Sequence, residues 1–149
     1  PNYRYLWSTV GAEEVPEISD VIDPNYITLR IVEWNSELFD HPKLSPYTET
    51  TLTHILSGNS YAATHFIEDP ERKNKRIQRL ENAPYFGALQ GIHQGEKKIE
   101  SCFRFLENEG FISNVVKSFT TSENELVEYQ APLLTSKGLE IIQSGKYLT

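Results

Sequence analysis

One cysteine, no methionine and no long apolar run: these are what the 149 residues most clearly lack. The lone Cys102 excludes an internal disulfide and any multi-cysteine zinc site. A membrane-spanning helix needs roughly 18 or more consecutive apolar residues, and no stretch approaches that. No charged n-region leads into an apolar h-region, so a signal peptide is not expected. The expected location is the cytoplasm, or the nucleus in a eukaryote. The missing methionine, with Pro1 permitting removal of an initiator Met, fits a processed protein or a fragment. Proline and glycine number only eight each, and apolar and aromatic residues occur throughout, which argues against wholesale disorder.

Basic side chains are scarce in the first half. Residues 1–70 carry three of them (Arg4, Arg30, Lys43) against eleven acidic ones, whereas residues 71–149 carry eleven against ten. The net charge of −7 therefore belongs almost entirely to the first 70 residues. Five cations fall in one short stretch, Arg72, Lys73, Lys75, Arg76 and Arg79. Such asymmetry is a cue for separate roles.

The first 45 residues read as irregular with β character. Tyr26–Val32 alternates and is rich in β-branched residues, so it predicts a strand after an Asp23-Pro24-Asn25 turn, with Tyr3–Trp7 as a second strand. Glu13, Glu14, Glu17, Asp20 and Asp23 form a solvated acidic segment between them. Asp40–Lys43 and Ser45-Pro46 mark a loop. Leu52, Ile55 and Leu56 predict a helix over Thr48–Leu56, stopped by Gly58-Asn59. A short helix over Tyr61–Ile67 would bury Ala62 and Phe66. Asp69 as cap, Pro70 at the first position and Glu71 in the first turn open a helix that runs to about Asn82. Only Ile77 and Leu80 give it an apolar face, so its five cations point to water or a partner.

From Tyr85 the pattern tightens. Phe86, Leu89 and Ile92 fit a short helix ending near His93-Gln94-Gly95. Ile99, Cys102, Phe103 and Leu106 line one face of a second over Glu96–Glu109. Extended segments follow over Ser113–Phe119 and Glu125–Leu134, joined by a polar turn at Thr120–Asn124. Thr135 or Ser136 caps a last helix, Lys137–Ser144, with Leu139 and Ile142 inward. The expected class is α+β, mainly helical, with a small β element near the N-terminus. Its organisation is an acidic, partly β segment over residues 1–47 and a helical region over 48–149. The two form one folding unit or meet at a soft boundary between residues 40 and 60.

Ala88–Ile92, Ile99, Phe103, Leu106 and the exit Glu107-Asn108-Glu109-Gly110-Phe111-Ile112, followed by Leu134-Thr135-Ser136-Lys137-Gly138-Leu139, resemble the winged helix-turn-helix superfamily over residues 84–144. The spacing from Ile92 to Ile99 is longer than that superfamily's usual turn. The resemblance implies a winged-helix domain whose second motif helix lies in a DNA major groove. It places Lys97, Lys98, Ser101 and Arg104 on the outward face of that helix, with Asn114 and Lys117 on the wing. Lysine and arginine supply phosphate contacts, and arginine bridges the two acceptors of guanine. Glu123 and Glu125 at the wing tip, and Glu96, Glu100 and Glu107 beside the helix, repel a phosphate backbone.

Other chemistry is thin. His54 and His65 share no metal-ligand spacing, and neither an H-x-x-x-H nor a C-x-x-C pair exists, so no metal is expected. Cys102 on an apolar face reads as packing, and a Cys102–His93 nucleophilic pair has nothing to orient the base. Asp40-His41 with Glu37 reads as a loop beside Pro42. No glycine-rich phosphate loop or dinucleotide fingerprint is present, so neither a cofactor nor enzyme activity is expected. Trp7, Trp34 and the eight tyrosines finish a core or mark a contact surface. The leading expectation is a DNA-binding regulator using residues 85–144 and the basic stretch Arg72–Arg79. Its competitor is a protein-interaction module or adaptor, such as a complex subunit or a phage or defence protein acting on a host partner. There the acidic half would meet a partner or a second copy, and the basic stretch an acidic surface. A third possibility is the accessory domain of a nucleic-acid enzyme.

Overall fold

The computed structural model describes residues 23–144, and its first element, α1, is a helix over Pro24–Phe39. A strand is predicted over Tyr26–Val32, and the structure corrects this. The Asp23 carboxylate accepts the Asn25 N–H (2.9 Å) and Pro24 takes the first turn, so the apparent turn is a helix cap. Over seven residues the apolar positions alternate. Over sixteen, the buried residues Ile27, Thr28, Ile31, Val32, Asn35 and Leu38 follow the helical period, and Leu29 beside them is buried as well. Burial of that stripe outweighs the modest helix penalty of β-branched side chains. The described residues thus contain no β element near the N-terminus; Tyr3–Trp7 and most of the acidic segment lie outside them.

The loop over Asp40–Lys43 forms as expected, and α2 spans Glu49–Ser57. Thr48 caps it through the Thr51 N–H (3.2 Å), and Gly58, at φ 78°, ends it in the left-handed conformation. Turns occupy residues 60–66 where a short helix is predicted, and Phe66 is 68 % exposed rather than buried. One hydrogen-bonded turn does not offset the entropy of nucleation, and Asp69, set extended ahead of Pro70, prevents extension. α3 then runs over Pro70–Glu81 from its Asp69 cap and buries only Leu80.

Residues 83–95 form turns, not the predicted helix, with positive φ at Tyr85, Gly87, Gly91, Gln94 and Gly95. The tight helix-turn-helix implied by the resemblance is therefore not formed across residues 86–108. Those N–H groups go elsewhere. Gly87 and Leu89 donate to the carbonyls of Ile55 (2.8 Å) and Leu56 (2.9 Å) in the last turn of α2, where carbonyls lack partners further along the helix; the Ile55 carbonyl also accepts the Gly58 N–H (3.1 Å). Tyr85, Ala88 and Leu89 still enter the core, but from turns.

α4 spans Glu96–Asn108 and buries Ile99, Cys102, Phe103 and Leu106, as the periodicity predicts. Its helical neighbours are α1 and α2. Strands β1 (Ile112–Thr120) and β2 (Leu126–Leu134) form an antiparallel hairpin in register from Ile112↔Leu134 to Thr120↔Leu126. α5 spans Ser136–Ser144; the Thr135 hydroxyl accepts the Gly138 N–H (3.1 Å) and donates to the Gly110 carbonyl (2.6 Å). Gly138 is required there, because a Cβ would lie 2.2 Å from the Phe111 carbonyl oxygen. Leu139, expected inward, is 40 % exposed, while Ile141 and Ile142 pack against the core. The described chain is α+β, with five helices and one hairpin. No helix among the described residues is long and apolar enough to cross a membrane.

One side chain joins the parts. Asn35 of α1, with no exposed surface, accepts the Tyr47 N–H (2.7 Å) and donates to the carbonyls of Tyr47 (3.0 Å) and Pro132 (3.1 Å). Ser36 beside it accepts the Leu134 N–H (2.7 Å), so α1 covers the free edge of β2. Asn35→Ala strands a buried donor and two carbonyls and should cost about 2–4 kcal/mol, read from the urea unfolding midpoint.

Candidate nucleic-acid interface

The buried stripe of α4 turns Lys97, Ser101 and Arg104 outward and leaves Lys98 half-buried. Arg104 is not free. Its guanidinium bridges Glu49 of α2 and Glu107 (2.7 Å), and Asn114 of β1 donates to the same Glu107 carboxylate (3.3 Å). Burial lifts the Glu49 carboxyl above its ordinary range, against the pull of Arg104 and with further repulsion from Glu107 and Glu100. Ser101 donates to the Lys98 carbonyl (2.6 Å). Lys117 donates to the Phe39 carbonyl (3.2 Å) and stands 4.5 Å from the Phe39 ring centre, which ties β1 to the end of α1. Of the residues placed on this face by sequence, Arg104, Asn114 and Lys117 are thus held within the fold. Lys97, Lys98 and Arg104 share their surroundings with Glu49, Glu96, Glu100 and Glu107, so this face has no positive excess.

The basic stretch behaves differently. All five cations lie on α3, which has no broad packing partner. Arg72 and Arg79 are exposed, and Lys75 reaches only its own helix's Glu71 (3.7 Å, both ends exposed). Lys73 lies 5.3 Å from the Tyr61 ring centre and Arg76 lies 4.9 Å from that of Tyr47. Burial and the neighbouring Arg79 both lower the Arg76 guanidinium's pKa. Arg76 and Arg79 open onto a cavity of about 500 Å³ together with Lys43, a residue with no functional signal in its sequence surroundings. Trp34 and Tyr47 stack beside it (centres 5.8 Å apart, planes at 23°), and Phe119 and Tyr129 meet edge to face on the hairpin side. No aspartate or glutamate is among the described residues that line it.

Compared with protein-family models, curated proteins and solved structures, the chain matches none.

A second polar group was not foreseen. His54 Nδ1 faces Glu96 Oε2 (3.0 Å), and Ser57 Oγ lies 3.3 Å from the same oxygen while also donating to the His54 carbonyl. The carboxylate stands between histidine and serine, so this is a brace between α2 and α4 and not a base poised on a nucleophile. Burial raises the Cys102 thiol, which keeps it protonated and unreactive. Among the described residues no group of three or more His, Cys, Asp or Glu side chains could hold a metal ion.

Because the Glu49 carboxyl is raised, the folded protein binds its proton more tightly than the unfolded chain does. The stability it contributes is present below the ordinary carboxylate range and is lost as pH rises through the folded-state value. Glu49→Gln should therefore gain on the native protein as pH rises from about 4 to 6, measured as the difference between their urea midpoints. A difference constant with pH would remove Glu49 from the acid-linked groups.

Proposed function

We propose that the protein is a nucleic-acid-binding regulator in which α1, α2, α4 and the hairpin serve as a winged-helix scaffold and α3 supplies the main grip on phosphate. The scaffold reading is supported by the resemblance of residues 84–144 and by the packing of α4 on α1 and α2 ahead of a hairpin. In it α2 takes the place of the expected helix 86–92, and residues 59–95 replace a tight turn. The observation that carries the function is the α3 surface, where five cations and Lys43 stand in a chain of net charge −7. Phosphate neutralisation supplies most non-specific affinity for DNA, and α3 offers the unpaired charge that α4 lacks.

The test is anisotropy with a random DNA duplex at several salt concentrations. Arg72→Ala, Lys73→Ala and Lys75→Ala together should weaken binding and reduce the salt slope by about 2–3. The triple change Lys97→Ala, Lys98→Ala and Arg104→Ala should have the smaller effect. Absence of binding at low salt, or an unmoved slope in the α3 variant, overturns the proposal.

A protein-interaction role is favoured by a different feature. Val116 and Leu126 project from one face of the hairpin, 54 % and 66 % exposed. If that face joins two copies, sedimentation should depend on concentration, and Leu126→Lys should abolish the dependence.

A further inference from the structure

We propose that the cavity between α1, α3 and the hairpin binds a nucleotide whose base is unpaired, the phosphate on Arg76, Arg79 and Lys43 and the base against the Trp34–Tyr47 aromatic wall. This deepens the nucleic-acid reading at the same surface and rests on it for the choice of ligand. Four features of the site lead there.

Charge comes first. Arg76 and Arg79 repel one another, Arg76 is half-buried, and neither meets a carboxylate among the described residues. In a chain with a carboxylate excess, three cations around one concavity with no acid in its lining form a site that an anion completes. Arginine's planar fork also suits phosphate oxygens in pairs.

Shape and chemistry of the walls come next. The volume of about 500 Å³ falls within the roughly 300–1,000 Å³ of small-molecule sites, so it admits a nucleotide and excludes a double helix. Aromatic surface lines it from two parts of the fold, with Trp34 and Tyr47 from α1 and the segment before α2 and the half-exposed Phe119 from the hairpin. Base stacking on such rings is tolerant of sequence and contributes about 1–3 kcal/mol per base. Finally, the walls are fixed before any ligand arrives. The Tyr129 hydroxyl donates to the Pro46 carbonyl (2.8 Å), the Tyr47 backbone is held by Asn35, and Arg76 lies on the Tyr47 ring. Preorganised aromatic and cationic groups lose little freedom on binding.

Phosphate and base together are the shared chemistry of a free mononucleotide and of an unpaired nucleotide in a strand. Trp7→Phe leaves Trp34 as the single tryptophan, so its fluorescence reports on the cavity. The probes are adenosine 5′-monophosphate, a 5′-phosphorylated single-stranded DNA, a blunt unphosphorylated duplex and inorganic phosphate. Adenosine monophosphate should quench Trp34 at least tenfold more tightly than phosphate alone competes. Arg79→Ala, at an exposed position where folding is not at risk, should weaken it about tenfold. A single strand that binds tenfold tighter still, and is displaced by the mononucleotide, identifies a strand as the source; equal affinities identify the free nucleotide. Equal competition by phosphate and mononucleotide, or an unchanged affinity in Arg79→Ala, overturns the inference. Arg72, Lys73 and Lys75 lie outside the cavity, so the two readings fail separately. Duplex binding that responds to those three without nucleotide binding sinks this inference alone. Nucleotide binding without duplex binding overturns the broader proposal and leaves this inference standing.

Discussion

A single buried carboxamide sets the positions of most other elements. Asn35 saturates one backbone amide and two carbonyls on segments that are 12 and 97 residues away in sequence. A buried polar group is tolerated only when its partners are in place, so this arrangement is strict about geometry in a way that apolar packing is not. It fixes the approach into α2 and the level at which β2 crosses α1. The Trp34–Tyr47 stack and the hairpin side of the cavity follow from those two constraints. The aromatic wall is thus positioned by a residue that does not itself line the cavity.

The two charged helices show how differently the same side chains act in different settings. On α4, cations sit among carboxylates and are consumed by the fold: Arg104 links α2 to α4, and Asn114 joins that network from the hairpin. On α3, cations sit on a helix that buries one leucine and are left available. Counting charges along the chain treats both alike. Placement separates a paired brace between helices from an open basic surface, because paired charges cancel the field that would attract a distant polyanion.

Sequence legibility divided along the same line between local and distant causes. The cap at Asp69, the stop at Gly58, the apolar face of α4 and the hairpin each depend on neighbours within a few residues, and each stands where the pattern predicts. The turns at residues 60–66 depart from the pattern because one local turn is too short to nucleate a helix. Two further elements depart from it because distant groups decide them. Tyr26–Val32 alternates locally, but its burial against α4 and the hairpin selects the helical period. Residues 86–92 carry a helical spacing, but the carbonyls of Ile55 and Leu56 at the end of α2 take the N–H groups of Gly87 and Leu89. The basic stretch was visible as a charge run. The cavity it borders was not, since Trp34, Lys43, Tyr47, Arg79, Phe119 and Tyr129 come from four separate parts of the chain and share no spacing.

Gly58 and Gly87 lie almost in contact, a Cβ on the first falling 3.3 Å from the Cα of the second. Residues 59–86 therefore start and finish at one narrow neck, stitched by the bonds from Gly87 and Leu89 to the end of α2. What lies beyond that neck is a side arm. Its contour can lengthen or shorten with only a logarithmic change in closure entropy, so long as Ala63, Leu80 and Ala83 keep their seats in the core. The length of this arm can then change while the framework beneath it stays constant.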